Sequence, residues 1–331
     1  MSVSVYFVLF INIIFFLFFF EIQKKINIFD KPNLKRKIHS KPTSSTGGVL
    51  LTTSLLIYFI FVLIGIDKNS LSFKENFSLI ILILFFFILG IYDDKFSIKP
   101  YTRLLLSFLS ILILVLLNDN FNIKELRFSF LDYKISLGNL SILFTILCIL
   151  LFINACNMFD GINLQFGFYI FLLIVIFYNK GVLENLLIII SIFCFFFLYF
   201  NFKKILFIGN NGTLVVGALF SFLFIKFYNV EDSLFYSDEI FLYMSILGFD
   251  LIRVSFSRLL KGRNMFEADN NHIHHLLLKK FSFFYSTLFV QILIIFPIIF
   301  SFLTKNYIIA CFISLAAYTA LVIYLKKSEK K

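Results

Sequence analysis

The stretch "LIILILFFFILGIYDDKFSIKP" (79–100) joins a run of apolar residues to two adjacent acids, Asp93 and Asp94. The apolar part belongs to a predicted membrane-spanning helix, so the acids lie where that helix ends. The C-terminal end of a helix already carries partial negative charge, and a carboxylate there is unfavourable by about 0.3–1 kcal/mol. The pair therefore predicts a positive partner nearby, and Lys95 and Arg103 follow in the sequence.

The composition identifies the class of protein. Of the 331 residues, 60% are hydrophobic and 15% are charged, whereas soluble domains have about 45–50% apolar and about 25% charged residues. The four cysteines are scattered through apolar runs, which predicts neither a disulfide framework nor a zinc site. The net charge of +11 is typical of lysines on the cytoplasmic face of a membrane protein, and we expect no nucleic-acid partner.

Eleven apolar stretches approach the length of about 20 residues that a membrane span requires. We therefore predict an all-α polytopic membrane protein that forms one integral-membrane domain at 1–331, with the lipid bilayer as its surroundings. The first stretch has no cationic start and no cleavage site, so we expect a retained helix. The predicted spans are 2–22, 46–66, 76–92, 101–118, 137–156, 163–179, 182–201, 212–229, 239–256, 283–303 and 306–325.

The distribution of basic residues predicts the orientation of the chain. With the N-terminus outside, the cytoplasmic loops and the C-terminal tail contain 22 of the 30 Lys and Arg residues, as the positive-inside rule requires. An odd number of spans then places the C-terminus in the cytoplasm. The polar motifs of five loops, and all four histidines, fall on this cytoplasmic face, so we expect them to form one active site.

The acids Asp93 and Asp94 have a functional interpretation besides a solvated helix end. Mg²⁺ prefers hard oxygen ligands and is usually held by one or two carboxylates and substrate phosphates. Adjacent helical residues point about 100° apart, so one Asp would meet the metal and the other an acceptor or base partner.

Two further polar motifs lie at the ends of predicted spans: the first at the inner end of the fifth span, and the second directly before the eighth. In "NACNMFDGIN" (154–163), polar residues recur at every third position, which is expensive beside lipid unless they face a polar cavity. Asn157 and Asp160 are the residues that this argument favours, whereas Asn163 has an equal alternative as a helix cap. The turn in "FIGNNGT" (207–213) feeds a helix N-terminus and predicts backbone N–H groups that face an anion, or an ordinary N-cap.

The last cytoplasmic loop combines arginines with "EADNNHIHH" (267–275). Zinc is one alternative, because His and Asp ligate it, but His272 and His274 diverge on a helix and no cysteine completes a set. Arg and His together favour a diphosphate ligand.

In the basic segment 29–48 we single out Asp30, Arg36 and His39 as candidate site residues. The alternative for this segment is an ordinary positive-inside loop.

Taken in order, the motifs DxPxxRKxH…GG, DD, NxxNxxDG, FxGxxG and HIHH resemble those of the polyprenyl-phosphate N-acetylhexosamine-1-phosphate transferases, glycosyltransferase family 4. The similarity extends from about residue 29 to 275. Because HIHH follows an Arg-rich loop, the chain most resembles the bacterial UDP-GlcNAc:undecaprenyl-phosphate GlcNAc-1-phosphate transferases. The resemblance implies transfer of a sugar-1-phosphate from a UDP-sugar to undecaprenyl phosphate at the cytoplasmic face of the bacterial inner membrane, with release of UMP. Mg²⁺, or Mn²⁺ in its place, is the implied cofactor, and a homodimer is compatible with it.

The resemblance also implies site residues. The expected catalytic residues are Asp93, Asp94 and Asp160, and these with Asn210 are the expected metal ligands. The expected substrate-binding residues are Arg36, His39, Asn157, Asn163, Arg258, His272, His274 and His275.

Two departures from the family pattern affect the implied metal site and the choice of donor. The family has FxGDxGS, whose Asp ligates magnesium, and this chain has Asn210 at that position; Asn163 replaces the second Asp of DGxDG. An amide oxygen can ligate Mg²⁺ without charge, which predicts weaker binding. The alternatives are a phospho-N-acetylmuramoyl-pentapeptide-type transferase, a catalytically silent relative, or a transporter, although the spans lack the polar mid-membrane residues that transport predicts.

Overall fold

The computed structural model describes residues 2–30, 32, 41–230, 233–265 and 270–327, which fold almost entirely into helices. In chain order the helices are α1 (Val3–Leu17), α2 (Phe19–Ile26), α3 (Gly47–Leu63), α4 (Phe73–Phe96), α5 (Pro100–Leu117), α6 (Ser141–Phe159), α7 (Gln165–Asn179), α8 (Glu184–Phe202), α9 (Asn210–Tyr228), α10 (Ser237–Leu260), α11 (Ile273–Leu278), α12 (Phe283–Thr304) and α13 (Tyr307–Lys327). Two short antiparallel pairs accompany them, β1 (Phe29–Asp30) with β2 (Thr43–Ser44) and β3 (Glu125–Leu126) with β4 (Ile135–Ser136).

Within the described part of the chain, eight helices are long and apolar enough to cross a membrane. The bent pair α1 and α2, which meet at 86°, gives a ninth if it counts as one span. The helices α3 and α7, with 17 and 15 residues, are shorter than the about 20 residues that a straight span requires. The all-α polytopic class is thus supported, whereas the count of eleven spans and their orientation stay predictions.

The chain packs as two compact units, and the first comprises Met1–Ser110 and Phe166–Phe220. Its core lies where α1, α3 and α8 pack together and α3 contacts α4. The buried Asn12 amide of α1 donates to the Ser54 hydroxyl of α3 at 2.9 Å, which satisfies a polar pair among apolar side chains. The rings of Phe19 and Phe200 stack with centroids 3.9 Å apart.

Helix α4 places the two acids and has clear start and stop signals. At its N-terminus, Ser72 and Glu75 form a capping box, in which each side chain accepts from the backbone N–H of the other residue. At its C-terminus, Ser97 adopts a left-handed conformation with φ 53°, which ends the helix. Pro100 then begins α5, where its missing N–H costs nothing.

The second unit comprises Ile111–Gln165 and Ser221–Lys331. Helix α10 is central in it and packs against α6, α12 and α13. A buried hydrogen bond of 2.8 Å between the hydroxyls of Ser245 and Ser314 links α10 to α13. The short helix α11 packs against α12 and α13. A single integral-membrane domain stays a prediction.

Candidate active site

Asp93 lies in the last turn of α4 and has a basic partner. Its Oδ2 accepts a hydrogen bond from Arg103 Nη1 at 2.7 Å, and its Oδ1 accepts from the Ile98 backbone N–H at 2.9 Å. The left-handed turn after α4 reverses the chain, so the first turn of α5 brings Arg103 back to the carboxylate. Asp93 is only 5% exposed, and a buried carboxylate requires such a partner. Arg103, one of the basic residues that the sequence offered, is therefore the positive partner of Asp93.

Asp94 has a different partner, the N-terminus of α9. Its Oδ1 accepts from the Asn210 backbone N–H at 3.0 Å and its Oδ2 from that of Asn211 at 3.1 Å. The Asn211 side-chain amide donates to the same Oδ2 and to the Ser45 carbonyl oxygen. A carboxylate at this place satisfies unpaired N–H groups and the positive end of the helix dipole. The predicted anion at this turn is thus the side chain of Asp94, which caps α9 from another helix.

Two glycines allow this junction to form. A Cβ atom at Gly90 would lie 2.3 Å from Asn211 Cα, and one at Gly48 would lie 2.2 Å from the Gly212 backbone nitrogen. Real Cβ atoms do not approach backbone so closely, so neither position accepts a larger residue without movement of α9. The Gly48 N–H also donates to the Ile208 carbonyl at 2.9 Å. Gly48 of the GG motif and Gly90 of α4 therefore serve backbone packing around Asp94.

The DG motif and the histidine motif meet in the second unit. Asp160 is half-buried and directly follows Phe159, the last residue of α6. A Cβ atom at Gly161 would lie 1.8 Å from His274 Nε2, so the imidazole ring rests directly on the glycine. Asn157 lies one turn earlier on α6 and Asn163 in the following turn. The structure thus brings together two of the motifs that the sequence predicts to share a site.

The three histidines have different surroundings. His274 is 1% exposed, and its pKa lies well below the usual range because of burial and then the neighbouring His275 and His272. It is therefore neutral at physiological pH. His272 is also buried, and its Nδ1 lies 2.7 Å from Asp250 Oδ2. His275 is half-buried, with its ring 4.4 Å from that of His274, so it is the most accessible of the three.

Asp250 is a buried acid beside the histidine motif that the sequence analysis did not single out. It lies inside α10, is 4% exposed, and its Oδ1 accepts from the Tyr318 hydroxyl at 2.8 Å and the Ile273 N–H at 3.1 Å. Arg253 Nη2 donates to the same oxygen at 2.8 Å and to the Asn271 carbonyl at 2.6 Å. Its position well inside the predicted span 239–256, among apolar residues, is the signal that could have identified it, because charged residues inside a span are rare unless they have a function.

Arg258 is buried and close to the histidines. Its Nη1 donates to the Met265 carbonyl at 2.7 Å, and its Nη2 lies 3.4 Å from His272 Nε2. Its predicted role in substrate binding is consistent with a position beside the histidine motif. Arg36 and His39, the other predicted substrate ligands of basic character, lie outside the described residues, and Asp30 is in β1.

The fit of a magnesium ion can be tested on the first unit. No group of three or more His, Cys, Asp or Glu side chains within the described ranges could hold a metal ion. Arg103 already neutralises the charge of Asp93. Asp94 accepts three hydrogen bonds from protein donors, and because a carboxylate has about four lone-pair sites, one site is left for a metal ion. The residues therefore fit an ion held mainly by substrate phosphates and water, with Asp94 as protein carboxylate, and do not fit a cage of acidic ligands.

The described helices are those of a multi-pass membrane protein, and the polar groups at their ends form two clusters. Asp93, Asp94 and Asn210 belong to the first unit, whereas Asp160 and the histidines belong to the second. Their convergence at one site stays a prediction.

Comparison with known proteins supports the family. Residues 76–228, just under half of the chain, match the sequence profile of glycosyl transferase family 4. The matched segment contains the DD pair, the DG motif and the start of α9, and it ends before the histidines. This match supports a transferase of sugar phosphates to polyprenyl phosphate in general. No curated protein matches the chain significantly.

Proposed function

We propose that the chain transfers N-acetylglucosamine-1-phosphate from UDP-GlcNAc to undecaprenyl phosphate with release of UMP, as the first membrane step of a cell-surface polysaccharide. The observation that carries this proposal is the family match over 76–228, which contains the junction of Asp94 with the N-terminus of α9. The place of action is the cytoplasmic face of the bacterial inner membrane, where the nucleotide donor and the lipid acceptor meet.

The bond changes define what the site must do. A phosphate oxygen of the lipid attacks the phosphorus that bears the sugar, a new P–O bond forms, and the P–O bond to UMP breaks. Both reactants are anions, so their approach requires positive charge from side chains and a cation. A bound Mg²⁺ or Mn²⁺ would neutralise the phosphates and stabilise the leaving UMP.

The residues divide between these tasks. Asp94 and Asn210 would hold the metal, because they lie side by side at the start of α9. Asp160 supplies a second carboxylate, for the metal or for the acceptor. Arg258 and His275 would contact the donor diphosphate, since charge-assisted hydrogen bonds to phosphate are strong. His272 and His274, both buried, would support them. Asp93, which Arg103 contacts, completes the proposed set together with Asn157, Asn163, Arg36 and His39.

The test is identification of the lipid product. Purified protein in detergent would be supplied with undecaprenyl phosphate, Mg²⁺ and one UDP-sugar at a time, and the lipid extract would be analysed by mass spectrometry. A product with the mass of undecaprenyl diphospho-GlcNAc supports the proposal. Product only with UDP-MurNAc-pentapeptide would move the chain to the muramoyl-pentapeptide type.

One observation favours a second candidate, a catalytically silent relative. Both acids of the DD pair have protein partners, Arg103 for Asp93 and α9 for Asp94, and a neutral Asn210 replaces the acid of the family motif. In such a relative these contacts would be purely structural. The absence of product with every UDP-sugar, from protein that remains folded and monodisperse, would favour this candidate.

A further inference from the structure

We infer that Asp250 is a positioning residue for the histidine motif: it holds His272 as the tautomer protonated on Nδ1 and anchors the first turn of α11. This inference rests on the proposed function, because the histidine motif has a role in catalysis only if the chain is a transferase. Asp250 begins the polar segment 250–275 but is not among the site residues that the sequence analysis singled out. Its role follows from the contacts of its two oxygens.

The contacts of the two ring nitrogens assign the proton on His272. Asp250 Oδ2 lies 2.7 Å from His272 Nδ1, and an ionised carboxylate only accepts hydrogen bonds. Nδ1 must therefore carry a proton. On the other side of the ring, Nε2 lies 3.4 Å from Arg258 Nη2, and a guanidinium only donates. Nε2 is therefore the acceptor of this contact, and the geometry assigns the ring the tautomer with its proton on Nδ1.

Asp250 also contacts the backbone at the start of α11. Asp250 Oδ1 accepts from the N–H of Ile273 at 3.1 Å, and Ile273 is the first residue of α11. The carboxylate thus fixes both the side chain of His272 and the start of the helix that carries His274 and His275. One side chain on α10 determines the placement of the whole motif.

Two side chains keep the Asp250 carboxyl group ionised. The hydroxyl of Tyr318 and the guanidinium of Arg253 both donate to Oδ1 at 2.8 Å. These donors stabilise the charged form of a carboxylate that is almost completely buried. They also prevent rotation of the carboxyl group, so that Oδ2 continues to face His272.

The experiment uses the small number of histidines. The chain has four, so protein labelled with ¹⁵N-histidine gives few signals, and a His272→Gln variant identifies the one of interest. The nitrogen shifts distinguish the Nδ1–H tautomer, the Nε2–H tautomer and the imidazolium. We expect Nδ1–H in the unsubstituted protein. Nε2–H or imidazolium there would overturn the inference without any variant, and this result does not depend on the proposed function.

The variant Asp250→Asn then tests the consequence. The three donors to Oδ1 keep the amide oxygen on their side, so the amide nitrogen faces Nδ1 of His272. This nitrogen donates and cannot accept, so we expect His272 to change to the Nε2–H tautomer. Transferase activity should fall about 10- to 100-fold, as when the carboxylate partner of a functional histidine is removed, with the larger part in KM for the UDP-sugar. The matched control is Ser314→Ala, which removes a different hydrogen bond between α10 and α13 and should change neither the tautomer nor the KM.

The outcomes separate the inference from the proposed function. An Asp250→Asn protein with an unchanged tautomer, or with unchanged KM and kcat, would overturn the positioning role. If Ser314→Ala also lost activity and also changed the His272 tautomer, any disturbance of the packing between α10 and α13 would have the same effect. That result would overturn the positioning role as well. If no UDP-sugar is turned over by the unsubstituted protein, the proposed function fails, and the tautomer measurement still decides the structural part of the inference.

Discussion

The ion pair between Asp93 and Arg103 predicts a measurable coupling between α4 and α5. The pair has a separation of 2.7 Å, with side chains 5% and 17% exposed. Removal of one partner of a buried pair costs about 3–5 kcal/mol, and the partial exposure of Arg103 screens the charges, so we expect about 2–3 kcal/mol for Asp93→Asn or Arg103→Met. The double variant should lose less than the sum, with a coupling energy of about 1–3 kcal/mol.

The assay is equilibrium unfolding of the four proteins in mixed micelles of a mild detergent and dodecyl sulfate, followed by circular dichroism. The chain offers a matched control, the pair of Lys134 and Glu125, which is 3.6 Å apart with side chains 56% and 43% exposed. A cycle on this pair should give a coupling near zero, because solvent screens it. Additive effects at Asp93 and Arg103, or equal coupling in the two cycles, would refute the reasoning from burial.

Three further predictions concern glycines and a histidine. Gly90→Ala should lower the thermal stability and the activity, because its Cβ would lie 2.3 Å from Asn211 Cα, whereas Gly248→Ala, with open space around its Cβ, should be tolerated; detergent melting curves would show the difference, and equal losses would contradict it. Gly161→Ala should displace the ring of His274, 1.8 Å from the added atom, and so reduce UDP-sugar affinity; unchanged affinity by calorimetry would contradict that contact. Burial lowers the pKa of His274 in the folded protein, so as the pH falls below about 6.5 the imidazole is protonated in the unfolded state and stays neutral in the folded state. The free energy of unfolding should therefore keep its full value above about pH 6.5 and decrease below it. Melting temperatures between pH 7 and 5 should fall less for His274→Gln than for the unsubstituted protein, and parallel curves would argue against a neutral buried imidazole.

Some contacts of the site could be predicted from the sequence because they are local. Arg103 is only ten residues from Asp93, and a helix end followed by Pro100 predicts the turn that joins them. The class of all-α membrane protein likewise follows from apolar runs, which need no knowledge of tertiary structure. The helices α3 and α7 show the limit of this approach, because hydropathy extends past the residues at which the backbone ends the helix.

Other contacts require the tertiary fold. Asn211 and Asp94 are 117 residues apart, and no local pattern indicates that an aspartate would cap a helix from another segment. The same holds for Asp250, whose partner Tyr318 is 68 residues away. Polar residues with distant partners are visible in the sequence only as unexplained polar positions in apolar helices.

UMP release is the measurement that tests the proposed transferase most directly. The purified chain would be mixed with UDP-GlcNAc, with and without undecaprenyl phosphate and with and without Mg²⁺. The account predicts UMP only when both the lipid phosphate and the metal are present, with weak metal affinity because Asn210 is uncharged. UMP release that ignores the lipid, or no release from any UDP-sugar by folded protein, would contradict it.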